Sequence, residues 1–355
     1  MLVKDSMFDI QRCDVSRITQ VNFDDLPFGR VFSDHMFVMD YVDGAWQRGT
    51  IVPFQNLSMN PATSVIHYGQ SIFEGIKAFR NEDGRVSIFR PQRNVERFNK
   101  SAERMCMPQV DPDTFLEALR QLIKLDDQWV PQSMESSLYI RPVMFGTDEY
   151  VGVKPAETYK FIIFTCPVGK YYAGDVRVKV ETHFARSVRG GTGFAKAAGN
   201  YAGALYPAKL AQQQGYHQLV WTDAAEHKYI EESGTMNIMF IIDGKLITPA
   251  LSDTILSGIT RDSVLTVARE WGMTVEERKV SVEEIYKAIK ENRLKEAFGA
   301  GTAATIAPIR SIGFENEDIE LPSYDTWTFA PKMAQTLIDI RRGRTSDANQ
   351  WNFYV

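Results

Sequence analysis

The sequence predicts a mixed α/β protein of the α+β kind, built in two halves. Three observations carry this. Asp-Gly pairs at 43–44, 83–84 and 243–244 sit between apolar runs, the mark of hairpins, because the tight turn needs positive φ. Apolar stripes at helical spacing recur between those runs, as at Val95, Phe98, Ala102 and Met105. The stretch VGKYYAGD (168–175) reads as a link between the halves, and 355 residues are enough for two domains.

Taken in order, residues 34–55 are strands around the first turn. SVIHYGQSIFEGIKAFR (64–80) mixes aromatics with Gly69, Gly75 and one acid, Glu74. Residues 92–106 are a helix, with Arg97 at the edge of its apolar stripe, either a solvated rim residue or an anion clamp. Asp111-Pro112 starts a second helix, since Asp caps free N–H groups and Pro needs no partner at the first helical position. Phe115, Leu116, Leu119, Leu122 and Ile123 form its buried face. SSLYIRPVMFGT (136–147) is a strand with Tyr139 and Arg141 on one side by period two. Phenol and guanidinium both donate to oxygen, so this side is either a carboxylate site or an exposed face. A loop over 146–157 leads to the apolar strand FIIFTCPVG (161–169).

In the second half a helix follows Lys196 to Gln214, and Pro207 inside it either kinks it or delays its start. HQLVWTD (217–223) is a buried strand. Residues 228–249 are a strand, a break at Ser233-Gly234, another strand and the third hairpin. Ser257, Gly258 and Thr260 start a helix that Gly272 closes, and the free N–H groups at such a start suit an anion. Ser281 and Glu284 form a capping box. EAFGAGTAATIAPI (296–309) is a strand running into glycines, and the last helix covers roughly 326–342.

Composition is that of an ordinary soluble protein, with 44% hydrophobic and 24% charged residues. A net charge of −5 without a long basic run argues against a nucleic-acid surface. No apolar run approaches the ~18 residues that span a bilayer, and MLVKDSMFDIQRCDV carries acids where a signal peptide has its apolar core. Cys13, Cys106 and Cys166 are too scattered for a disulfide framework or a zinc site, so no metal and a reducing cytoplasm are expected.

RGGTGFAKAAGNY (189–201) is the stretch with the clearest chemistry. Lys196 stands among glycines and alanines that admit another body to the backbone. A lysine in such poorly solvated surroundings loses proton affinity, and a neutral amine attacks carbonyls. The bland alternative is a glycine-rich surface loop. Gly299-Ala300-Gly301-Thr302-Ala303-Ala304 fits the dinucleotide fingerprint G-x-G-x-x-A, the basis of a nicotinamide-oxidoreductase alternative. Pro308 comes too soon for the helix that fingerprint requires, so the glycines suit a single phosphate or a carboxylate better. An amine, an acid before a sharp break, a helix start with hydroxyls, a glycine cup and one arginine together suit pyridoxal 5′-phosphate.

HYGQSIFEGIKAFR, SLYIRPV, GGTGFAKAAGNY, EESGTMN, LSGITR and GAGTAAT resemble the branched-chain amino-acid aminotransferases of the fold-type IV, pyridoxal-phosphate class. The likeness runs in order from Phe28 to about Arg342. It implies a small N-terminal α/β domain (1–167), an interdomain linker (168–176) and a larger cofactor-binding domain with a β-barrel-like core (177–355). It implies Lys196 as the Schiff-base lysine and Tyr201 at the cofactor phenolic oxygen. It also implies Glu232 at the ring nitrogen, and Arg97, Ile259, Thr260 and Thr302 at the phosphate. The implied substrate pocket is Phe28, Tyr68, Phe73, Tyr139, Arg141, Tyr171, Thr235, Met236 and Ala303. A partner-subunit loop bearing Val153 closes it, so a homodimer at least is implied. Ala304 and Ala307 stand where vertebrate members carry a redox C-x-x-C, which removes that switch. The expected activity is reversible amino transfer between leucine, isoleucine or valine and 2-oxoglutarate. The alternatives are a D-amino-acid aminotransferase, an amine transaminase or a lyase of the same fold, or a scaffold without activity.

Overall fold

A computed structural model describes residues 7–169, 174 and 176–355. The chain forms two compact units, one of Met1–Tyr171, Ala195–Gly199 and Asp339–Val355, the other of Tyr172–Phe194 and Asn200–Ile338. The expected link at 168–176 falls mostly outside the described residues. No helix among those described is long and apolar enough to cross a membrane.

The first unit is a sheet with its two long helices on one face and a short helix against the other. Its strands are β1 (Asp9–Ile10), β2 (His35–Val42), β3 (Ala45–Trp46), β4 (Thr50–Pro53), β5 (Ser71–Phe73), β6 (Ile76–Arg80), β7 (Val86–Phe89), β8 (Ser137–Gly146) and β9 (Tyr159–Val168). Its helices are α1 (Ser64–Tyr68), α2 (Pro91–Arg104) and α3 (Pro112–Leu125). The order is β1-β4-β2-β9-β8-β6-β7, and the C-terminal strand Asn352–Tyr354 adds antiparallel to β7. The turn between β2 and β3 forms as expected, with φ of 53° at Asp43 and 77° at Gly44. Asp111 accepts a hydrogen bond from Thr114 N at 2.8 Å and caps α3.

Alternation along the strands divides this sheet into two surfaces. Ile72, Ile76, Ala78, Leu138, Ile140, Phe161 and Ile163 join one core with Val95, Phe98 and Ala102 of α2 and Phe115, Leu119 and Leu122 of α3. The Phe98 and Phe115 rings meet Phe161 with centroids 5.4 and 5.0 Å away. Phe73, Lys77, Tyr139, Arg141 and Cys166 therefore fall on the opposite surface.

The second unit has strands β10 (Val176–Val180), β11 (Gln218–Thr222), β12 (Ile230–Ser233), β13 (Met236–Ile242), β14 (Lys245–Pro249), β15 (Val275–Arg278), β16 (Leu294–Gly301), β17 (Thr305–Gly313) and β18 (Asp318–Glu320). Between them run α4 (Ala198–Gln213), α5 (Ile259–Glu270) and α6 (Val282–Lys290), and α7 (Phe329–Arg341) follows β18. The order β12-β11-β10-β17-β16-β13 closes on itself through β12–β13 pairing, a six-stranded barrel. Ser281 caps α6 by accepting from Glu284 N at 3.0 Å, but the Glu284 carboxylate pairs with Arg278 instead of returning to Ser281 N, so only half of the expected capping box forms. α4 runs from Ala198 straight through Pro207, so the late start is excluded. The segment 296–309, expected as one strand, is instead a hairpin turning at 302–304.

Phe115 is fully buried between two other rings. Phe115→Ala should lower unfolding free energy by about 3–5 kcal/mol, read from urea denaturation. A loss under about 1 kcal/mol would mean the α3 face is not the core described.

Candidate active site

In the first unit the lysine segment lies along β5. Phe73 N donates to Lys196 O at 3.1 Å, and Ala197 bridges Ile72. Lys196 N donates to Ser101 Oγ at 2.9 Å, and Ser101 Oγ donates to Arg97 O at 2.9 Å. The backbone of Lys196 is thereby held between a strand and α2. Its Nζ sits 4.8 Å from the Phe73 ring centroid, and the Arg141 guanidinium lies 4.6 Å from the same ring. Arg141 donates to Tyr139 Oη at 2.9 Å, and Tyr139 meets Phe28 edge-on at 5.1 Å. Arg141 Nε is buried with no hydrogen-bond partner among the described residues. These five side chains, one amine, one guanidinium and three rings, form one cluster.

Arg97 is not a rim residue. It is 8% exposed, and its Nε and Nη2 donate to Glu74 Oε1 and Oε2 at 2.7 and 2.9 Å. Asn94 Nδ2 donates to the same carboxylate at 2.7 Å, and so does Gly75 N at 3.1 Å. Complete burial pushes the Glu74 carboxyl up, but Arg97, Lys196 and Asn94 outweigh it and hold the group below the usual carboxylate range.

In the second unit Glu232 is 3% exposed on β12. Its Oε2 lies 3.0 Å from Arg186 Nε, and its Oε1 accepts from Leu256 N at 2.6 Å. Glu232 faces Asn237 in register, and Asn237 Nδ2 donates to Leu256 O at 2.9 Å. Both polar groups of Leu256, just before α5, are therefore fixed by neighbouring strands. Arg186 also donates to Gly193 O and Thr254 O at 2.9 and 3.0 Å. Thr192 and Asn200, flanking the lysine segment, exchange hydrogen bonds of 2.6 and 2.8 Å.

The remaining expected residues fall as follows. Ile259 and Thr260 open α5 under a Gly258 cap that makes no side-chain hydrogen bond. Thr302 and Ala303 lie in the β16–β17 turn, Thr235 is exposed before β13, and Tyr201 is on α4. The glycines of GAGTAAT pack against Met236. A Cβ on Gly299 would lie 2.6 Å from Met236 Cε, so Met236 fills the space they leave. A three-residue turn and a strand follow them, not a helix, which removes the dinucleotide reading. Tyr68 is 40% exposed at the end of α1 and Val153 is 88% exposed in the loop before β9. Tyr171 lies outside the described residues. Sequence reasoning missed Glu74, Asn94, Ser101 and Arg186. A signal for two of them existed, since Asn94 and Ser101 share helical spacing with Arg97 on a buried face.

The class IV amino-transferase family profile matches residues 71–312. Branched-chain-amino-acid aminotransferase 2 of Bacillus subtilis (strain 168) is 46% identical over 334 residues, 93% of this chain and 92% of that one. Branched-chain-amino-acid transaminase 1 of the same organism is 44% identical over 335 residues, 93% of this chain and 94% of its own. The crystal structure of a branched-chain aminotransferase from Thermoproteus uzoniensis, with norvaline, superposes with a TM-score of 0.75 at 26% identity. It covers 90% of this chain and 99% of its own.

Lys77 pairs in register with Tyr139 on the same sheet surface. Burial, with Arg341 and Arg342 nearby, pushes its ammonium down to about 7 from 10.5. Below pH 7 the folded protein carries the full penalty of that charge. The unfolded chain binds more protons between pH 7 and 10.5, so folding stability rises with pH across that window. Lys77→Met should flatten this rise and stabilise the protein at pH 7 by on the order of 2 kcal/mol, measured by denaturation at several pH values. An unchanged slope would assign the rise to other groups.

Proposed function

The chain belongs to the branched-chain-amino-acid aminotransferases, within the class IV aminotransferases, and on that premise we propose that it moves the amino group reversibly between L-leucine, L-isoleucine or L-valine and 2-oxoglutarate, with pyridoxal 5′-phosphate as cofactor. The observation that carries this reading is the placement of Lys196. Its backbone is held by Phe73 and Ser101, and its amine shares the Phe73 ring with the Arg141 guanidinium.

Each unit has residues that fit the cofactor. The first-turn N–H groups of α5, at Ile259 and Thr260, lack a side-chain cap and suit a phosphate. A Cβ at Gly258 would lie 1.9 Å from Asn237 Oδ1, so only glycine allows that loop to close on β13. Arg97 and Thr302 are assigned to the same phosphate, Tyr201 to the phenolic oxygen, and buried Glu232 to the ring nitrogen. When bound, the cofactor supplies an aldehyde for the substrate amine and a ring that draws off the electron pair left by the broken Cα–H bond.

The chain's own residues do the rest. Lys196 Nζ would hold the cofactor's aldehyde, and as a free amine beside the substrate it would take the proton from Cα and carry it as the ammonium until it is delivered to the product. The Glu232 carboxylate favours the protonated ring nitrogen, because opposite charge stabilises the charged form. Phe28, Phe73 and Met236 are assigned to the pocket for branched side chains, with Thr235 and Ala303, and the resemblance adds Tyr171. Arg141, with Tyr68 and Tyr139, receives the side-chain carboxylate of glutamate. Its buried, unsatisfied Nε supports this assignment. We also take the protein to be a cytoplasmic homodimer in which Val153 closes the pocket of the partner subunit, and the exposure of Val153 supports that role.

Lys196→Ala should abolish transamination and the visible absorbance of the bound cofactor. A purified variant with normal turnover would refute the assignment. Arg141→Ala should lower kcat/KM for glutamate at least ~10-fold more than for leucine. Equal losses would show that Arg141 does not divide the two substrates.

A further inference from the structure

Glu74 takes no part in the chemistry above, yet it is the most completely enclosed acid near Lys196. We propose that Glu74 is the built-in counter-ion of the phosphate site: it holds the Arg97 fork in place and balances Arg97 and Lys196 while no phosphate is bound. The assignment rests on the transaminase reading only for the identity of the anion.

Arg97 is buried and Lys196 half-buried, and two cations so placed repel each other and lose hydration, which a buried acid offsets. Glu74 is 0% exposed and supplies it. Both of its oxygens are engaged, one by Arg97 Nε and the other by Arg97 Nη2, Asn94 and Gly75 N. The bidentate geometry fixes the guanidinium plane as well as its charge. Asn94, Arg97 and Ser101 all point from α2 toward this acid or the lysine backbone. One face of one helix thus registers the phosphate arginine, the acid and the lysine together. The low carboxyl pKa keeps the charge present at neutral pH. With a neutral residue at 74, two cations remain with less compensation, and an anion from solution becomes the replacement.

The test uses full-length protein, loaded and stripped of cofactor, with inorganic phosphate against chloride at matched ionic strength. Stripped Glu74→Gln should melt on the order of 5–10 °C below wild type. Phosphate should restore at least half of that loss, while stripped wild type shifts much less. Loaded Glu74→Gln should not respond to phosphate. Glu74→Asp, which keeps the charge, should melt closer to wild type and show a smaller phosphate response than Glu74→Gln. The double variant Glu74→Gln/Arg97→Met should lose the response, placing the anion at Arg97. If Glu74→Gln does not fold in chloride, refolding yield in the two salts is read instead, and recovery only in phosphate supports the proposal. A variant no more phosphate-responsive than wild type, or a double variant that still responds, overturns it. No turnover is measured, so a negative result leaves the transaminase reading standing, and loss of that reading leaves the phosphate response to be judged alone.

Discussion

A fully buried carboxylate is the constraint on which the first unit depends. Glu74 sits at the jog between β5 and β6, both of which pair with β8. Its N–H donates to Pro142 O at 2.8 Å, so the backbone that carries the acid is part of the sheet. A charge placed there without donors would be expelled or neutralised. Four donors converge on it instead, and three of them are side-chain N–H groups from α2. The same helix turns apolar side chains, Val95, Phe98 and Ala102, to the main core. α2 therefore does two jobs at once: apolar packing sets its position, and the polar stripe converts that position into the placement of Lys196.

The second unit solves a different problem, which is to hold a loop still. Closing the barrel through β12 and β13 puts Glu232 beside Asn237. Those two side chains bind the N–H and C=O of Leu256, three residues before α5 begins. A helix start is useful for an anion only if its direction is fixed, since the favourable field falls off within the first turn. Arg186 joins the same assembly, with contacts to Glu232, Gly193 O and Thr254 O. The acid, the helix start and the root of the lysine segment thus share one hydrogen-bonded frame within this unit.

Accepting both an isobutyl group and a carboxylate asks one pocket wall to be apolar and still hold one strong donor. In the pocket we propose, Phe73 reconciles the two. Its ring is an apolar surface, and its negative face accepts the cations of Lys196 and Arg141. Arg141 is further held by Tyr139. A guanidinium held over a ring by its charge still has N–H donors to offer to oxygen. Cys166, opposite Tyr139 in register, has its thiol pushed up to about 11 by burial, so it packs rather than reacts.

The sequence by itself determined the local elements and the family. Asp-Gly hairpins, the Asp111-Pro112 start and the Ser281 cap depend on residues a few positions apart, and each formed as read, whereas the Glu284 half of the box lost its carboxylate to Arg278. The motifs around Lys196, Glu232 and Ile259 were equally legible, because each is a contiguous string. Only the tertiary structure decided what Arg97 meets, since its partner Glu74 lies 23 positions away and on another element. It also decided that the GAGTAAT glycines admit Met236, that 296–309 folds back on itself, and that Pro207 stays inside a continuous helix. The C-terminal strand is the same case, for its pairing with β7 joins residues more than 260 apart. Spacing along a chain reports which side of an element a residue takes. The element that comes to face it is set by the closing of sheets and the packing of helices, and those are sums over the whole core.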